Sequence, residues 1–160
     1  MDITIKNGQI IKFVDHDITE ISSNFLEEND TLVEIVMSNL MHMGKRCFYY
    51  NKNLSSLNLP QLTHMGNDCF YHNANISSVD LPQLTHMGNY CFDNNENIAS
   101  LNLPQLTHMG KECFLGNKNL SSLNLPQLTH MGALCFRNNE TIKIKAPLIK
   151  KVKDLYFKTT

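Results

Sequence analysis

The sequence predicts a repeat solenoid: stacked coils of 22 residues, with a parallel β-sheet on one face and short helical or 3-10 turns on the other. Three observations predict it. The octapeptide LPQLTHMG is written four times, at 59–66, 81–88, 103–110 and 125–132, always 22 residues apart. The apolar residues of each unit fall in the same columns, Leu54, Leu57, Leu59, Leu62, Met65, Cys69 and Phe70 in one copy. A unit with one short strand and one tight turn has too little apolar surface to fold alone, so neighbouring units must stack and share backbone hydrogen bonds.

The chain of 160 residues reads as a single domain. Residues 1–31 form an N-terminal hairpin and a degenerate capping coil, 32–141 five repeats, and 142–160 a half-coil with a Lys-rich cap. Asn7-Gly8 between two alternating runs marks the hairpin, which closes the N-terminal end. Phe13, Ile18 and Ile21 then fall in the apolar columns of a coil spanning 10–31.

In the repeat at 54–75, Leu57-Asn58-Leu59 alternates and reads as a strand. Pro60 lacks the N–H that a ladder needs, so pairing stops there. Gly66 permits a turn with positive φ. The following NDCFYHN has room for one helical or 3-10 turn. At the C-terminal end Ile144, Pro147, Ile149 and Val152 stay in register after one deletion, and Leu155, Tyr156 and Phe157 are expected to fold over the last coil.

The pattern LxxLxLPxLxxMGxxCFxxNxxL resembles the BspA-like class of leucine-rich repeats, strongly over about 32–141 and weakly at the flanks. Two departures stand out. The unit is one residue shorter than is common in the class, and Cys replaces the usual Ala before Phe. The resemblance implies a right-handed leucine-rich-repeat solenoid, and an interaction role in place of catalysis.

Stacking turns each column into a ladder, with coils about 4.8 Å apart, the strand spacing. Cys47, Cys69, Cys91, Cys113 and Cys135 read as small buried hydrophobes under the turn. An odd number of cysteines argues against a disulfide framework, and parallel side chains do not converge on zinc. Asn51, Asn73, Asn95, Asn117 and Asn139 are expected to satisfy backbone groups at the turn. His42, His64, His86, His108 and His130 lie between inward apolar columns and therefore point outward. They read as duplicated surface residues that repel one another when charged.

These features weigh against several function classes. A catalytic site is one constellation, and a repeat copies every group, so no enzyme and no cofactor is expected. The chain has no run of 18 apolar residues and its first residues carry no secretory signal, so a cytoplasmic location without membrane insertion is expected. The Asn-x-Ser/Thr triplets at Asn29, Asn53, Asn75, Asn119 and Asn139 are then by-products of repetition.

A protein partner remains the leading expectation. The exposed strand positions are small and uniform, such as Ser55, Ser56 and Asn58. Variation gathers beside the turn, where Tyr49, Tyr50, Tyr71 and His72 stack together with Arg46 and Tyr90 nearby. Tyr and Arg are favoured as binding anchors. The ends also differ in charge: residues 1–34 carry −6 and 143–160 carry +5, while the whole chain carries −1. Charged ends discourage fibre growth, and opposite ends permit head-to-tail self-association. Two alternatives use other surfaces. The Lys-rich end would touch nucleic acid or an acidic surface, although six Lys with no Arg and no recognised nucleic-acid module weigh against it. The His column would respond to metal or pH.

Overall fold

In the computed structural model, residues 1–139 and 141–149 are described. They wind as stacked coils of the expected period. Val79 is 2% exposed and Phe70 and Phe92 stack at 5.2 Å, as direct superposition of coils requires. The C-terminal Val152, Leu155, Tyr156 and Phe157 lie outside the described residues, as do Lys150, Lys151, Lys153 and Lys158.

Each coil carries two short strands, where the sequence suggested a single parallel sheet. The strands are β1 (Asp2–Lys6), β2 (Gln9–Val14), β3 (Glu20–Ile21), β4 (Glu34–Val36), β5 (His42–Met43), β6 (Ser56–Asn58) and β7 (His64–Met65). They continue with β8 (Ser78–Asp80), β9 (His86–Met87), β10 (Ser100–Asn102), β11 (His108–Met109), β12 (Ser122–Asn124), β13 (His130–Met131) and β14 (Lys143–Lys145). The Leu-Asn strand was expected. Its column is interrupted, ordered β1-β2-β4-β6, then β8-β10, then β12-β14. The His-Met strand was not expected, yet it builds the continuous sheet, β3-β5-β7-β9-β11-β13, parallel throughout. Two residues are too few to show an alternation in sequence. Only the neighbouring coils, repeating them in register, make a sheet.

The N-terminal hairpin is present. β1 pairs antiparallel with β2 around Asn7 (φ 52°) and Gly8 (φ 77°), the two left-handed residues of a tight hairpin turn. β2 then runs parallel to β4, so the hairpin hands over to the solenoid, with Phe13 buried beneath it.

No helix or 3-10 turn forms among the described residues, contrary to the expectation at NDCFYHN. The backbone shows why. Arg46, Asp68, Tyr90, Glu112 and Leu134 have φ near +57°, and so do Tyr50, His72, Asn94 and Asn138 four residues further on. Left-handed residues at that spacing break helical hydrogen bonding. The N–H groups instead reach the next coil: Arg46 N to Asn67 O at 2.8 Å, Phe48 N to Cys69 O at 2.9 Å, Tyr50 N to Tyr71 O at 2.9 Å.

That ladder explains two columns. The Phe carbonyl takes no part in it, and the Asn of the next coil donates to it: Asn73 Nδ2 to Phe48 O at 2.8 Å, Asn95 to Phe70 at 2.7 Å, Asn117 to Phe92 at 2.8 Å. A buried carbonyl left without a donor costs about 1–3 kcal/mol, so the Asn recurs. The cysteines are free and buried. They are also donors: Cys69 Sγ reaches Gly44 O at 2.9 Å, and Cys91 reaches Gly66 O at 3.0 Å. Burial pushes the Cys91 and Cys113 thiols up, which keeps that proton in place.

The glycine column has a different cause from the one expected. Gly66 and its equivalents are not at positive φ. A methyl group on Gly66 would meet the Gly44 carbonyl carbon at 2.7 Å. The glycines let successive backbones touch.

The core is a single stack. Phe48, Phe70, Phe92, Phe114 and Phe136 lie 5.2–5.8 Å apart with planes within 10°. Phe25 and Phe13 turn edge-on at the N-terminal end and close it.

Candidate interaction surface

The same left-handed backbone that excludes a helix sets out the variable side chains. Just after Phe48 and Phe70, the side chains of Tyr49, Tyr50, Tyr71 and His72 lie half-buried on the turn face and repeat from one coil to the next. Tyr49 stacks on Tyr71 with centroids 5.1 Å apart and planes 10° apart. Tyr50 lies 4.7 Å from the His72 ring and 6.3 Å from Tyr71. Four of the six candidate residues, Tyr49, Tyr50, Tyr71 and His72, thus form one aromatic cluster.

Arg46 joins it. Its guanidinium sits 4.2 Å over the Tyr49 ring, with Glu27 at 3.6 Å and Glu28 at 4.0 Å. The sixth residue, Tyr90, is not brought into the cluster. It lies in the Arg46 column two coils on, and its ring faces the Lys111 ammonium at 4.9 Å.

Two members were missed in the sequence. Lys52 places its ammonium 5.0 Å over Tyr50, a second cation on a ring of the cluster. Asp93 follows Tyr49 and Tyr71 in their column, where the tyrosines stop. It is 5% exposed, and its Oδ1 has no hydrogen-bond partner among the described residues. Burial, with Glu112 nearby, pushes its carboxyl up to about 7. Burial and Asp93 together raise the Tyr71 phenol, so it stays neutral and able to donate. The period of 22 puts Asp93 in register with Tyr49 and Tyr71, but its burial, which raises the carboxyl, is decided by packing.

The other surfaces are plainer. Ser55, Ser56 and Asn58 are exposed, as expected for a small polar strand face. Lys143 and Lys145 are exposed on β14 at the C-terminal side. Among the described residues no three His, Cys, Asp or Glu side chains gather as a metal site.

Comparison with known proteins agrees with this architecture. No curated protein matches the chain. A leucine-rich cell surface protein from Faecalibacterium prausnitzii superposes with a TM-score of 0.76 at 20% identity, covering 85% of this chain and 38% of its own length. The chain thus spans well under half of that protein. A T. pallidum leucine-rich repeat protein gives 0.57 at 16% identity, covering 84% of this chain and 73% of that one. A Bacteroides ovatus leucine-rich repeat protein gives 0.53 at 14% identity, covering 88% and 55%. At these identities the likeness is one of fold. The sequence itself carries the BspA-type leucine-rich repeat region in six copies over residues 19–143, and the chain belongs to that family.

Proposed function

We propose that the solenoid is a non-enzymatic protein-interaction module that binds a protein partner through its aromatic turn face. The observation that carries this reading is the packing of Tyr49, Tyr50, Tyr71 and His72 into one half-exposed cluster, flanked by the cations of Arg46 and Lys52. Aromatic and Arg side chains give large contact area at low entropic cost and dominate interface energetics. Their mutual stacking holds the rings in place before a partner arrives, which lowers the ordering cost of binding. The strand face, built of Ser and Asn, offers no comparable anchor. Tyr90, paired with Lys111, stands outside the core of the site.

The test is a double substitution, Tyr49→Ala with Tyr71→Ala. Proteins captured from the native host, and self-association by sedimentation, are compared with the wild type. Loss of a bound protein or of self-association is expected, because one hot-spot residue contributes about 2 kcal/mol or more. Unchanged binding with an unchanged circular dichroism spectrum would rule out this face.

A further inference from the structure

The histidine column lies apart from the aromatic cluster, on the continuous sheet. Strand pairing sets His42, His64, His86, His108 and His130 in direct register. Their ring centroids are 5.0, 4.7, 4.6 and 4.3 Å apart in chain order, and beyond His64 the planes agree within 8°.

A hydrogen-bond chain orients these rings. Nδ1 of His64, His86, His108 and His130 lies 2.9 Å from Oγ1 of the preceding threonine, Thr63, Thr85, Thr107 or Thr129. Each of those hydroxyls lies 2.9–3.2 Å from the carbonyl oxygen 22 residues back. A carbonyl only accepts, and a hydroxyl has one proton to give. If that proton turned to the imidazole, two oxygens would face each other at hydrogen-bond distance with nothing between them. The hydroxyl therefore donates to the carbonyl, and its oxygen accepts from Nδ1–H. At the head of the column Nδ1 of His42 faces the Glu20 carboxylate at 3.6 Å, which favours the same proton position. The neutral rings then carry their lone pairs on Nε2.

An imidazole with one N–H held by an oxygen acceptor and the other nitrogen bare is arranged as metal-ligating histidines are. The geometry points to a binding site for divalent transition-metal ions, Zn²⁺, Ni²⁺ or Cu²⁺, held by Nε2 of adjacent column histidines, with His108 and His130 as the leading pair. These two rings are the closest, at 4.3 Å. A metal–imidazole bond is about 2.0–2.1 Å, so two Nε2 atoms on one ion lie about 3–4 Å apart. As stacked, the two Nε2 lone pairs run side by side, so one ion is seated only when the exposed rings rotate towards each other about Cβ–Cγ, a freedom the buried thiols lack. No third His, Cys, Asp or Glu among the described residues converges with them, so each ion takes two imidazoles and completes its shell with water. Imidazole suits Zn²⁺, Cu²⁺ and Ni²⁺, whereas Mg²⁺ takes oxygen ligands. The thiols, all buried, do not compete.

The experiment uses the full chain without an affinity tag, at pH 7.5. Calorimetric titration with ZnCl₂ and NiCl₂ should show saturable binding, and MgCl₂ none. The variant His64→Asn, His86→Asn, His108→Asn, His130→Asn should lose at least tenfold in affinity. If that variant does not fold, the wild type still decides by imidazole nitrogen NMR. Its column rings should show the Nδ1–H tautomer, and substoichiometric Cu²⁺ should broaden them before His16 and His72. An Nε2–H tautomer, prior broadening of His16 or His72, undiminished affinity in a folded variant, or no saturable binding below millimolar metal would each overturn the site.

Discussion

A methyl group added to Gly110 would meet the backbone carbon and oxygen of Gly88, each at 2.5 Å. Neither atom can move without displacing a whole coil. Gly110→Ala should therefore lower stability by about 3 kcal/mol, at the upper end for overpacking, read as a reduced urea midpoint at unchanged slope. Gly116 makes the opposite case. Its φ is +71°, but the equivalent residues Tyr50, His72, Asn94 and Asn138 hold the same left-handed backbone with side chains. A Cβ there has one contact under 3 Å, with the Asn94 side-chain oxygen, which can swing away. Gly116→Asn should cost much less, within about 1 kcal/mol of wild type, since Asn tolerates positive φ. The sequence shows that a glycine recurs in the column of Gly110. It does not show that the reason is contact between coils, because that contact joins residues 22 apart. The cysteines are similar: their burial was legible, their hydrogen bonds to glycine carbonyls were not.

At the scale of elements, stability should respond to pH with two opposing signs. Burial and the flanking imidazoles lower the proton affinity of His64 and His108. The unfolded chain, with imidazoles titrating near about 6.5, then binds more protons than the fold. The stability that neutral His64 and His108 contribute is present above that value and is lost as pH falls below it. Asp93 acts the other way. Its carboxyl is raised from 3.8 to about 7, so the fold binds more protons between those values. Its contribution is present in acid and is lost as pH rises towards 7. Asp93→Asn should therefore stabilise the protein increasingly from pH 4 to pH 7, with a constant gain above. In that variant the melting temperature should fall between pH 7.5 and 5.5, because the largest opposing carboxyl is gone and only the smaller upward shift of Asp68 is left against the histidines. A flat profile in Asp93→Asn would contradict a stacked histidine column. The repulsion between column histidines could be anticipated from their spacing. The opposing carboxylate could not, because Asp93 becomes buried only when the turn packs against its neighbours.

For the whole molecule, the registers imply that any one coil is replaceable by the next. β7 pairs with β9 and β9 with β11 through identical residues, and the Phe stack runs through the same coils. Deleting residues 76–97 joins Asn75 to Ile98 and leaves every ladder in register. The shortened chain should keep a β-rich circular dichroism spectrum and unfold with a smaller urea slope, as expected when surface buried per coil is removed. Deleting 11 residues shifts every later column by half a coil and should abolish folding. The ends are held differently from the middle. Phe13 and Phe25 close the N-terminal end edge-on, beneath a hairpin that ends the parallel sheet.

The period of 22, the apolar columns and the hairpin at Asn7-Gly8 are properties of the sequence alone, because each is set by local spacing and local backbone preference. So is the grouping of Tyr49, Tyr50, Tyr71 and His72, which follows from the period by arithmetic. The tertiary structure decided what lies between those columns. It replaced a helix with left-handed turns and made a sheet from two-residue strands. It also separated Tyr90 from the other aromatics and fixed the faces of the imidazoles. All four are settled by hydrogen bonds and contacts between coils. A single coil contains only half of each such interaction, and the other half is supplied when the next coil lands on it.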